Sequence, residues 1–244
     1  MNKTKDFECS VIVPVFNEAD NIKRLGNALA AYLPKAVCSV CVIFVNDGST
    51  DGSLARIKDA CARHKDFFYI SLRSNAGLST ALKAGIDVAQ SQYVGYMDAD
   101  LQTTPEDFNR LLAFRADYEM VTGVRVNRKD TGFKRMQSKV ANAVRRMLTH
   151  DGMDDTGCPL KVMRAANAKR IPFFNGMHRF LPALILLQGG RVKQIPVRHF
   201  PRTAGTSKYR LWNRLTGPFV DCFVYRWMKS RWIDYTISDN NLSL

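Results

Sequence analysis

Residues 9–33 read CSVIVPVFNEADNIKRLGNALAAYL, an apolar run that passes into a pattern with helical spacing. The run at 9–16 is rich in β-branched residues, which is typical of a strand buried on both faces of a sheet. In residues 18–33, apolar side chains recur every three or four positions, as they do on one face of a helix. This stretch therefore predicts a strand followed by a helix, the unit from which parallel sheets are built.

The same unit recurs along the first half of the chain. We predict strands and helices in alternation at 40–45, 51–64, 67–72, 78–90, 93–97, 105–114 and 118–124. Such alternation predicts an α/β fold, with a mostly parallel central sheet and helices on both faces. Further along, a helix is predicted at 178–188 and a strand at 191–199. We expect one domain over residues 1–210 and an aromatic, basic, helical appendage over residues 211–244.

Charge is distributed unevenly along the chain. The 244 residues carry 36 Lys and Arg against 22 Asp and Glu, a formal net charge of +14, and all of the excess lies in residues 123–244. A basic second half favours polyanions such as phosphates, nucleic acid or an anionic bilayer. No nucleic-acid-binding motif is visible, so a nucleic-acid-binding protein is a remote alternative and we expect no nucleic acid partner. No apolar stretch reaches the roughly 18–20 residues that cross a bilayer, and no secretory signal opens the chain.

Polar segments follow four predicted strands at their carboxyl ends, where ligands bind in parallel sheets. They are residues 17–18, 46–49, 73–77 and 98–102. In the last of these, Asp98, Asp100 and Gln102 alternate, so their side chains share a face if the strand continues extended. Two carboxylates and an amide oxygen suit Mg²⁺ or Mn²⁺, with water and a ligand's phosphates completing the coordination. No G-x-G-x-x-G follows the first strand, which argues against a dinucleotide-binding oxidoreductase.

Four segments resemble the sugar-nucleotide core of family 2 glycosyltransferases, which have the GT-A fold. They are VIVPVFNEADNI (11–22), VNDGSTDGS (45–53), NAGLSTALKAGIDVA (75–89) and YMDADLQTTPED (96–107). The stretch DADLQ-x-x-PE, with R-x-x-G-x-SKY at 202–209, is similar more narrowly to the dolichyl-phosphate mannose synthase branch. Enzymes of that branch move one sugar from a nucleotide onto a polyprenyl phosphate. The resemblance extends over residues 9–210.

The resemblance implies a donor site, position by position. Nucleotide-sugar contacts are expected from Pro14, Phe16, Glu18, Val45, Asp47, Asn75, Gly77, Asp98 and Ala99. Asp98, Asp100 and Gln102 would hold the metal. Arg202 and Lys208 would close over the donor's phosphates from a loop. Many relatives have Tyr where Phe16 stands and Asp where Asn46 stands, so the donor's base, uracil in a UDP-sugar or guanine in a GDP-sugar, stays open.

The resemblance also implies an acceptor site. Arg125, Arg135 and Ser138 match positions that bind the acceptor phosphate. That phosphate is already an anionic nucleophile, so the reaction needs no general base, but it does need cations that hold two anions together. Attack from the face opposite the leaving diphosphate would invert the anomeric configuration. Asp100, Arg125, Arg135 and Arg202 are therefore the expected catalytic residues.

Two segments are candidates for contact with a membrane surface. Residues 133–148 separate apolar and basic faces, as an interfacial helix does. Residues 211–237 interleave three Trp with Arg and Lys, which suits a headgroup layer or the surface of a second copy of the chain, a homo-oligomer. We expect a cytoplasmic protein attached peripherally to the inner face of the membrane. The main alternative is a glycosyltransferase with a saccharide or protein acceptor, which would need a carboxylate base beside the acceptor.

Overall fold

One sheet organises the molecule. The structure, a computed structural model, describes residues 3–126, 142–143, 145–201, 216–233 and 238–239. Its strands in these residues are β1 Cys9–Val15, β2 Val40–Asn46, β3 Phe67–Ser71, β4 Tyr93–Tyr96, β5 Met120–Arg125, β6 Lys161–Arg164 and β7 Val192–Val197. They lie in the order β3-β2-β1-β4-β6-β5-β7. Among these strands, β6 pairs antiparallel with β4 and with β5, and every other pairing is parallel. The prediction of a mostly parallel sheet is therefore confirmed.

The direction of β6 decides which strand ends lie at the same edge of the sheet. Since β6 runs against both of its neighbours, β4 and β5 run in the same direction. The carboxyl ends of β1, β2, β4 and β5 therefore lie at one edge of the sheet, here called the carboxyl edge. The first residue of β6, Lys161, lies opposite Tyr96 at the end of β4, so it belongs to the same edge.

Helices cover both faces of the sheet. The described α-helices are α1 Ala19–Tyr32, α2 Ser53–Arg63, α3 Leu78–Val88, α4 Phe108–Leu112, and then Ala165–Lys169, Leu181–Leu187 and Thr216–Ser230. Along β1 the side chains point alternately to the two faces. Val11 packs with α1, α2 and α4 in one core cluster, while Ile12 packs with α3 and the later helices in the other. This explains why the strand reads as a continuous apolar run.

The predicted helices and strands that lie in the described residues are confirmed, with shifts of a few residues at their ends. The helices predicted at 105–114 and 178–188 each begin as a 3₁₀ turn, at Pro105–Asp107 and Met177–Arg179, before the α-helix starts. Strand β6 and the helix Ala165–Lys169 were not predicted. The reason lies in the composition of β6, KVMR, in which charged residues flank only two apolar ones.

The described end of the 133–148 segment departs from the predicted interfacial helix. Residues 133–141 and 144 lie outside the described residues, and residues 145–149 are helical. Arg145, expected on the solvated face, is buried, because its guanidinium donates to the Asp151 carboxylate and to the Met153 carbonyl. Met147, expected on the packed face, is 65% exposed. At these positions the amphipathic prediction is wrong.

The helix Thr216–Ser230 belongs to the segment predicted as an appendage. Its Cys222 and Tyr225 are buried in the core cluster that contains α3. The face turned away from the protein exposes apolar side chains, at Phe219, Val220, Phe223, Val224 and Trp227. A boundary between domains at residue 210 stays a prediction. In the described part of the chain, no helix combines the length and the apolar composition needed to cross a bilayer.

Candidate active site

The loops that follow β1 and β2 are joined by hydrogen bonds. The Asn17 backbone N–H donates to Ser49 Oγ at 3.0 Å, and the Asn17 side-chain oxygen accepts from the Thr50 N–H at 2.8 Å. Asn17 has φ of +51°, a left-handed conformation that Asn adopts more readily than most residues. The Glu18 N–H donates to Ser53 Oγ at 2.9 Å. The expected nucleotide residues Pro14, Phe16 and Glu18 therefore lie together at the carboxyl edge, each partly buried.

Asp47 fastens the loop after β3 to the end of β2. Its carboxylate accepts hydrogen bonds from the Ala76 N–H at 2.8 Å, the Gly77 N–H at 2.9 Å and Asn75 Nδ2 at 2.8 Å. Both oxygens are thus engaged, and the side chain is buried. The predicted contact between Asp47 and the base or ribose stays a prediction. What the structure shows is that Asp47 holds Asn75 and Gly77, two other predicted donor residues, in place.

Gly48 permits this close approach of the two loops. A Cβ on Gly48 would lie 2.3 Å from the carbonyl carbon of Ser74, and its φ of +62° is in the left-handed region. Val45, also predicted at the nucleotide, is a core residue with no exposed surface beneath α3. The predicted nucleotide contact of Val45 stays a prediction.

Two carboxylates lie close together after β4. Tyr96 Oη donates to Asp98 Oδ1 at 2.7 Å, and the Gln102 N–H donates to Asp100 Oδ1 at 3.1 Å. Burial, and then the neighbouring Asp100 carboxylate, raise the pKa of Asp98 to about 6. Two carboxylates that disfavour each other's charge are what a hard divalent cation would relieve. The donor set therefore fits Mg²⁺ or Mn²⁺ held by Asp98 and Asp100 with water and phosphate oxygens.

The backbone between residues 98 and 102 differs from the prediction. Strand β4 ends at Tyr96, residues 99–100 form a turn, and Leu101 has φ of +56°. The expectation that an extended strand places Asp98, Asp100 and Gln102 on one face is wrong for this reason. Gln102 as a third metal ligand now rests on the family resemblance alone. Ala99 is buried, and in the described residues no group of three or more His, Cys, Asp or Glu side chains could hold a metal.

A buried ion pair lies at the end of β5. Arg125 donates from Nε to Asp155 Oδ2 at 2.7 Å and from Nη2 to Asp155 Oδ1 at 2.8 Å. Burial disfavours both charges, but these bonds raise the pKa of Arg125 and lower that of Asp155. The positive charge of Arg125 is also felt at Asp98 across the edge. Asp155 therefore positions the guanidinium that was predicted to bind the acceptor phosphate.

Lys161 is a second cation at this edge, and sequence reasoning missed it. It is 1% exposed and donates from Nζ to the carbonyls of Thr156, at 3.2 Å, and of Cys158. Burial lowers the pKa of Lys161. Its Nζ lies 5.9 Å from the centre of the Tyr96 ring, and its charge acts on Asp98. The only sequence signal was a Lys at the start of an unrecognised strand.

The other predicted site residues lie outside the described residues. They are Arg135, Ser138, Arg202 and Lys208. The described chain leads to two of them, because the Phe200 N–H donates to the Gln102 carbonyl at 2.9 Å, two residues before Arg202. Arg198 is likewise fastened near the start of α4, where its backbone N–H and Nε donate to the buried Asp107 carboxylate at 2.8 and 3.0 Å.

Comparisons with known proteins show the family of this chain. The family model described as glycosyl transferase family 2 matches residues 10–171. A dodecaprenyl-phosphate galacturonate synthase from Rhizobium johnstonii is 33% identical over 211 residues, which make up 84% of this chain and 62% of that protein. An undecaprenyl-phosphate 4-deoxy-4-formamido-L-arabinose transferase from Edwardsiella ictaluri is 32% identical over 204 residues, 83% of this chain and 63% of that protein. The chain thus spans a little under two thirds of the length of these relatives.

Solved structures extend the likeness to the fold. A mannosyltransferase from Pyrobaculum calidifontis, in complex with GDP-Man and Mn²⁺, is 18% identical to this chain and superposes with a TM-score of 0.65. The match covers 92% of this chain and 64% of that one. The GT-A fold implied by the sequence motifs is therefore confirmed.

Proposed function

This chain belongs to glycosyl transferase family 2, and we propose that it transfers one sugar from a nucleoside diphosphate sugar to a polyprenyl phosphate, with inversion at the anomeric carbon. The product is a polyprenyl-phosphate-linked sugar for a cell-envelope glycan or a lipid modification. One observation carries the proposal. The carboxyl edge sets two carboxylates, Asp98 and Asp100, near the largely buried guanidinium of Arg125 and the buried ammonium group of Lys161. An edge of that composition suits a metal-bound diphosphate next to a second phosphate.

The donor side draws support from the joined loops after β1, β2 and β3. Asp47 holds Asn75 and Gly77 through hydrogen bonds, so a nucleotide bound between these loops meets a preformed surface. The base and ribose are proposed to lie against Phe16, Glu18 and this loop. The sequence motifs leave the base open and a solved neighbour was bound to GDP-Man, so both UDP- and GDP-sugars belong in a donor panel.

A divalent cation, Mg²⁺ or Mn²⁺, is proposed as the cofactor. Asp98 and Asp100 would hold it, with Gln102 as a further ligand on the family pattern. Bound there, the cation supplies charge that stabilises the departing nucleoside diphosphate. The solved mannosyltransferase of the same fold contains Mn²⁺, which supports the assignment.

Arg125 is proposed to bind the acceptor phosphate, together with Arg135 and Ser138. The ion pair with Asp155 engages Nε and Nη2 on one side of the Arg125 guanidinium, and Nη1 makes no hydrogen bond to the described part of the chain. A phosphate held there is already ionised, so the step needs no carboxylate base. This feature favours a phosphate acceptor over a saccharide or protein hydroxyl, for which a base would have to be found.

Closure over the donor is proposed for the basic segment that contains Arg202 and Lys208. Phe200 is hydrogen-bonded to Gln102, so this segment begins beside the proposed metal site. Cations arriving from there would neutralise diphosphate charge and exclude water that could hydrolyse the donor.

The proposed location is the cytoplasmic face of a membrane, where a polyprenyl phosphate presents its head group. The exposed apolar stripe of helix Thr216–Ser230 supports contact with a bilayer, since Phe223 and Trp227 are 51% and 66% exposed. Basic side chains on the same helix and just after it, Arg226, Lys229 and Arg231, suit anionic lipids. A second copy of the chain is the alternative cover for this stripe.

The proposal is tested by transfer of radiolabel into an organic-solvent extract. The purified protein is incubated with polyprenyl phosphate, Mg²⁺ or Mn²⁺, and a panel of labelled UDP- and GDP-sugars. Label in the organic phase with one donor, abolished by a chelator and by Asp100→Asn, is the expected result. Asp59→Asn, which removes an exposed carboxylate from α2, serves as the matched control and should retain activity. Donor consumption only with a soluble acceptor would refute the polyprenyl phosphate assignment.

A further inference from the structure

Ser79 and His178 form a polar contact that the proposed mechanism does not use. Ser79 is buried in the first turn of α3, and His178 lies in the 3₁₀ turn Met177–Arg179. Ser79 Oγ and His178 Nδ1 are 2.8 Å apart although 99 residues separate them in the sequence. The contact therefore joins the start of α3 to the turn that precedes helix Leu181–Leu187.

The hydrogen bonds around Ser79 decide which nitrogen of His178 carries the proton. The backbone N–H groups of Gly176, at 3.1 Å, and of His178, at 3.5 Å, both donate to Ser79 Oγ. With its lone pairs occupied in this way, the hydroxyl has its own proton to donate to Nδ1. Nδ1 is then the acceptor, and the neutral imidazole carries its hydrogen on Nε2.

The surroundings keep this imidazole neutral. Burial, and then the positive charges of Arg179 and Lys161, lower the pKa of His178 to about 3. Among the described residues, no side chain or backbone group accepts a hydrogen bond from Nε2. His178 therefore presents an uncharged donor whose direction is set by Ser79.

His178 lies near the carboxyl edge, which holds the proposed reaction centre. Lys161 acts electrostatically on both Asp98 and His178. The loop that Asp47 holds after β3 leads directly into α3 and Ser79. A Cβ on Gly77 would lie 3.8 Å from Asn175 Oδ1, so the two loops also approach each other.

We propose that His178 is a specificity-determining residue, whose Nε2–H donates a hydrogen bond to an oxygen of the transferred sugar. The inference rests on the proposed function, because it takes the donor to be a nucleoside diphosphate sugar. Phosphates are matched at this edge by the charged groups Arg125 and Lys161. A neutral, fixed donor instead matches a neutral oxygen, such as a hydroxyl of the transferred sugar. Ser79 acts through His178 and is a positioning residue.

The experiment compares binding of whole donors with binding of their nucleotides. Dissociation constants are measured by calorimetry with Mn²⁺ for UDP-glucose, UDP-galacturonic acid and GDP-mannose, and for UDP and GDP alone. In the wild-type protein, the sugar of at least one donor should add affinity. His178→Phe should weaken binding of that donor about tenfold, the value of one hydrogen bond, and leave nucleotide binding within about twofold.

Two further variants separate a sugar contact from a structural role. His178→Gln retains an uncharged N–H donor and should recover most of the lost affinity, whereas Ser79→Ala frees the ring and should give a loss of about threefold. His64→Phe, which changes a histidine at the opposite edge before β3, is the matched control. Deoxy-sugar analogues of the tight donor should show one position whose removal weakens the wild type but not His178→Phe.

The outcomes distinguish this inference from the proposed function. Equal weakening of donor and nucleotide by His178→Phe would mean a structural role and overturn the inference, as would unchanged binding of both. A wild-type protein that binds no donor more tightly than its nucleotide would also overturn it. If the sugar-dependent loss appears but no label reaches the organic phase, the inference stands and the polyprenyl phosphate acceptor fails.

Discussion

The ion pair at the end of β5 makes a quantitative prediction about Asp155→Asn. The side chains of Arg125 and Asp155 are 16% and 9% exposed, so neither charge is well solvated. Asp155 accepts two bonds from the guanidinium and a third from the Arg125 backbone N–H at 3.2 Å. Removing one partner of a buried pair costs about 3–5 kcal/mol. Because Asn keeps one carbonyl oxygen, we expect the free energy of unfolding to fall by about 2–4 kcal/mol.

Urea denaturation followed by tryptophan fluorescence measures this loss, and a neighbouring pair supplies the control. Arg146 and Asp154 are joined at 2.9 Å with side chains 44% and 61% exposed. Asp154→Asn should therefore cost less than about 1 kcal/mol, as solvated pairs do. The double variant Arg125→Met/Asp155→Leu should lose much less than the sum of the single changes, since no unpaired charge stays buried.

Asp155→Asn should also act on the reaction in a selective way. Asn can accept only one of the two bonds that fix the plane of the Arg125 guanidinium, so KM for polyprenyl phosphate should rise several-fold while donor affinity stays near that of the wild type. Equal destabilisation by Asp154→Asn and Asp155→Asn would refute the reasoning from burial. Additive losses in the double variant would show that the two side chains are not coupled.

Three further predictions concern other parts of the edge. Gly48→Ala should lower the free energy of unfolding by at least the roughly 1–3 kcal/mol of a left-handed backbone, measured by urea denaturation, since its Cβ would also overlap Ser74; unchanged stability would contradict the close approach. Asp100→Ala should abolish transfer while the circular dichroism spectrum is retained, and activity that persists in a chelator would contradict the metal assignment. Folding lowers the pKa of His178 from 6.5 to about 3. Between these two pH values the unfolded chain therefore binds a proton that the folded protein does not. Stability should thus fall as pH drops below 6.5, and His178→Phe should flatten this slope by up to about 1.4 kcal/mol per pH unit; an unaltered slope would contradict a neutral, buried imidazole.

The parts of the fold predicted from sequence are those in which local pattern and tertiary role coincide. The run at Cys9–Val15 is apolar at nearly every position because helices cover both faces of β1, so its pattern shows directly that it is buried. Strand β6 shows the opposite case. Its residue Lys161 is buried in the sheet, and its ammonium group donates to the carbonyls of Thr156 and Cys158 just before the strand. No hydrophobic period indicates a buried lysine of this kind.

The candidate site likewise contains residues that the local sequence pattern predicts and residues that it does not. Asp98 and Asp100 could be located because they follow a strand whose direction the alternation of elements implies. The predicted alignment of Gln102 with them is wrong because the strand ends at Tyr96, residues 99–100 form a turn and Leu101 has φ of +56°. The contact between Ser79 and His178 depends on the packing of two elements far apart in the chain, and residue types alone do not indicate it.

The charges that meet at the carboxyl edge explain why its parts act as a unit. Asp98, Asp100 and Asp155 face Arg125 and Lys161, so with every group ionised the edge is net negative by one charge. An anionic acceptor gains little from such an edge, even though Arg125 is held ready to bind it. A divalent cation at Asp98 and Asp100 would reverse the sign, and the same guanidinium would then lie in an attractive field. Under the proposed assignment, the carboxylates would prepare the acceptor site as well as the donor site, and the positions of Arg125 and Lys161 on adjacent strands would couple the two.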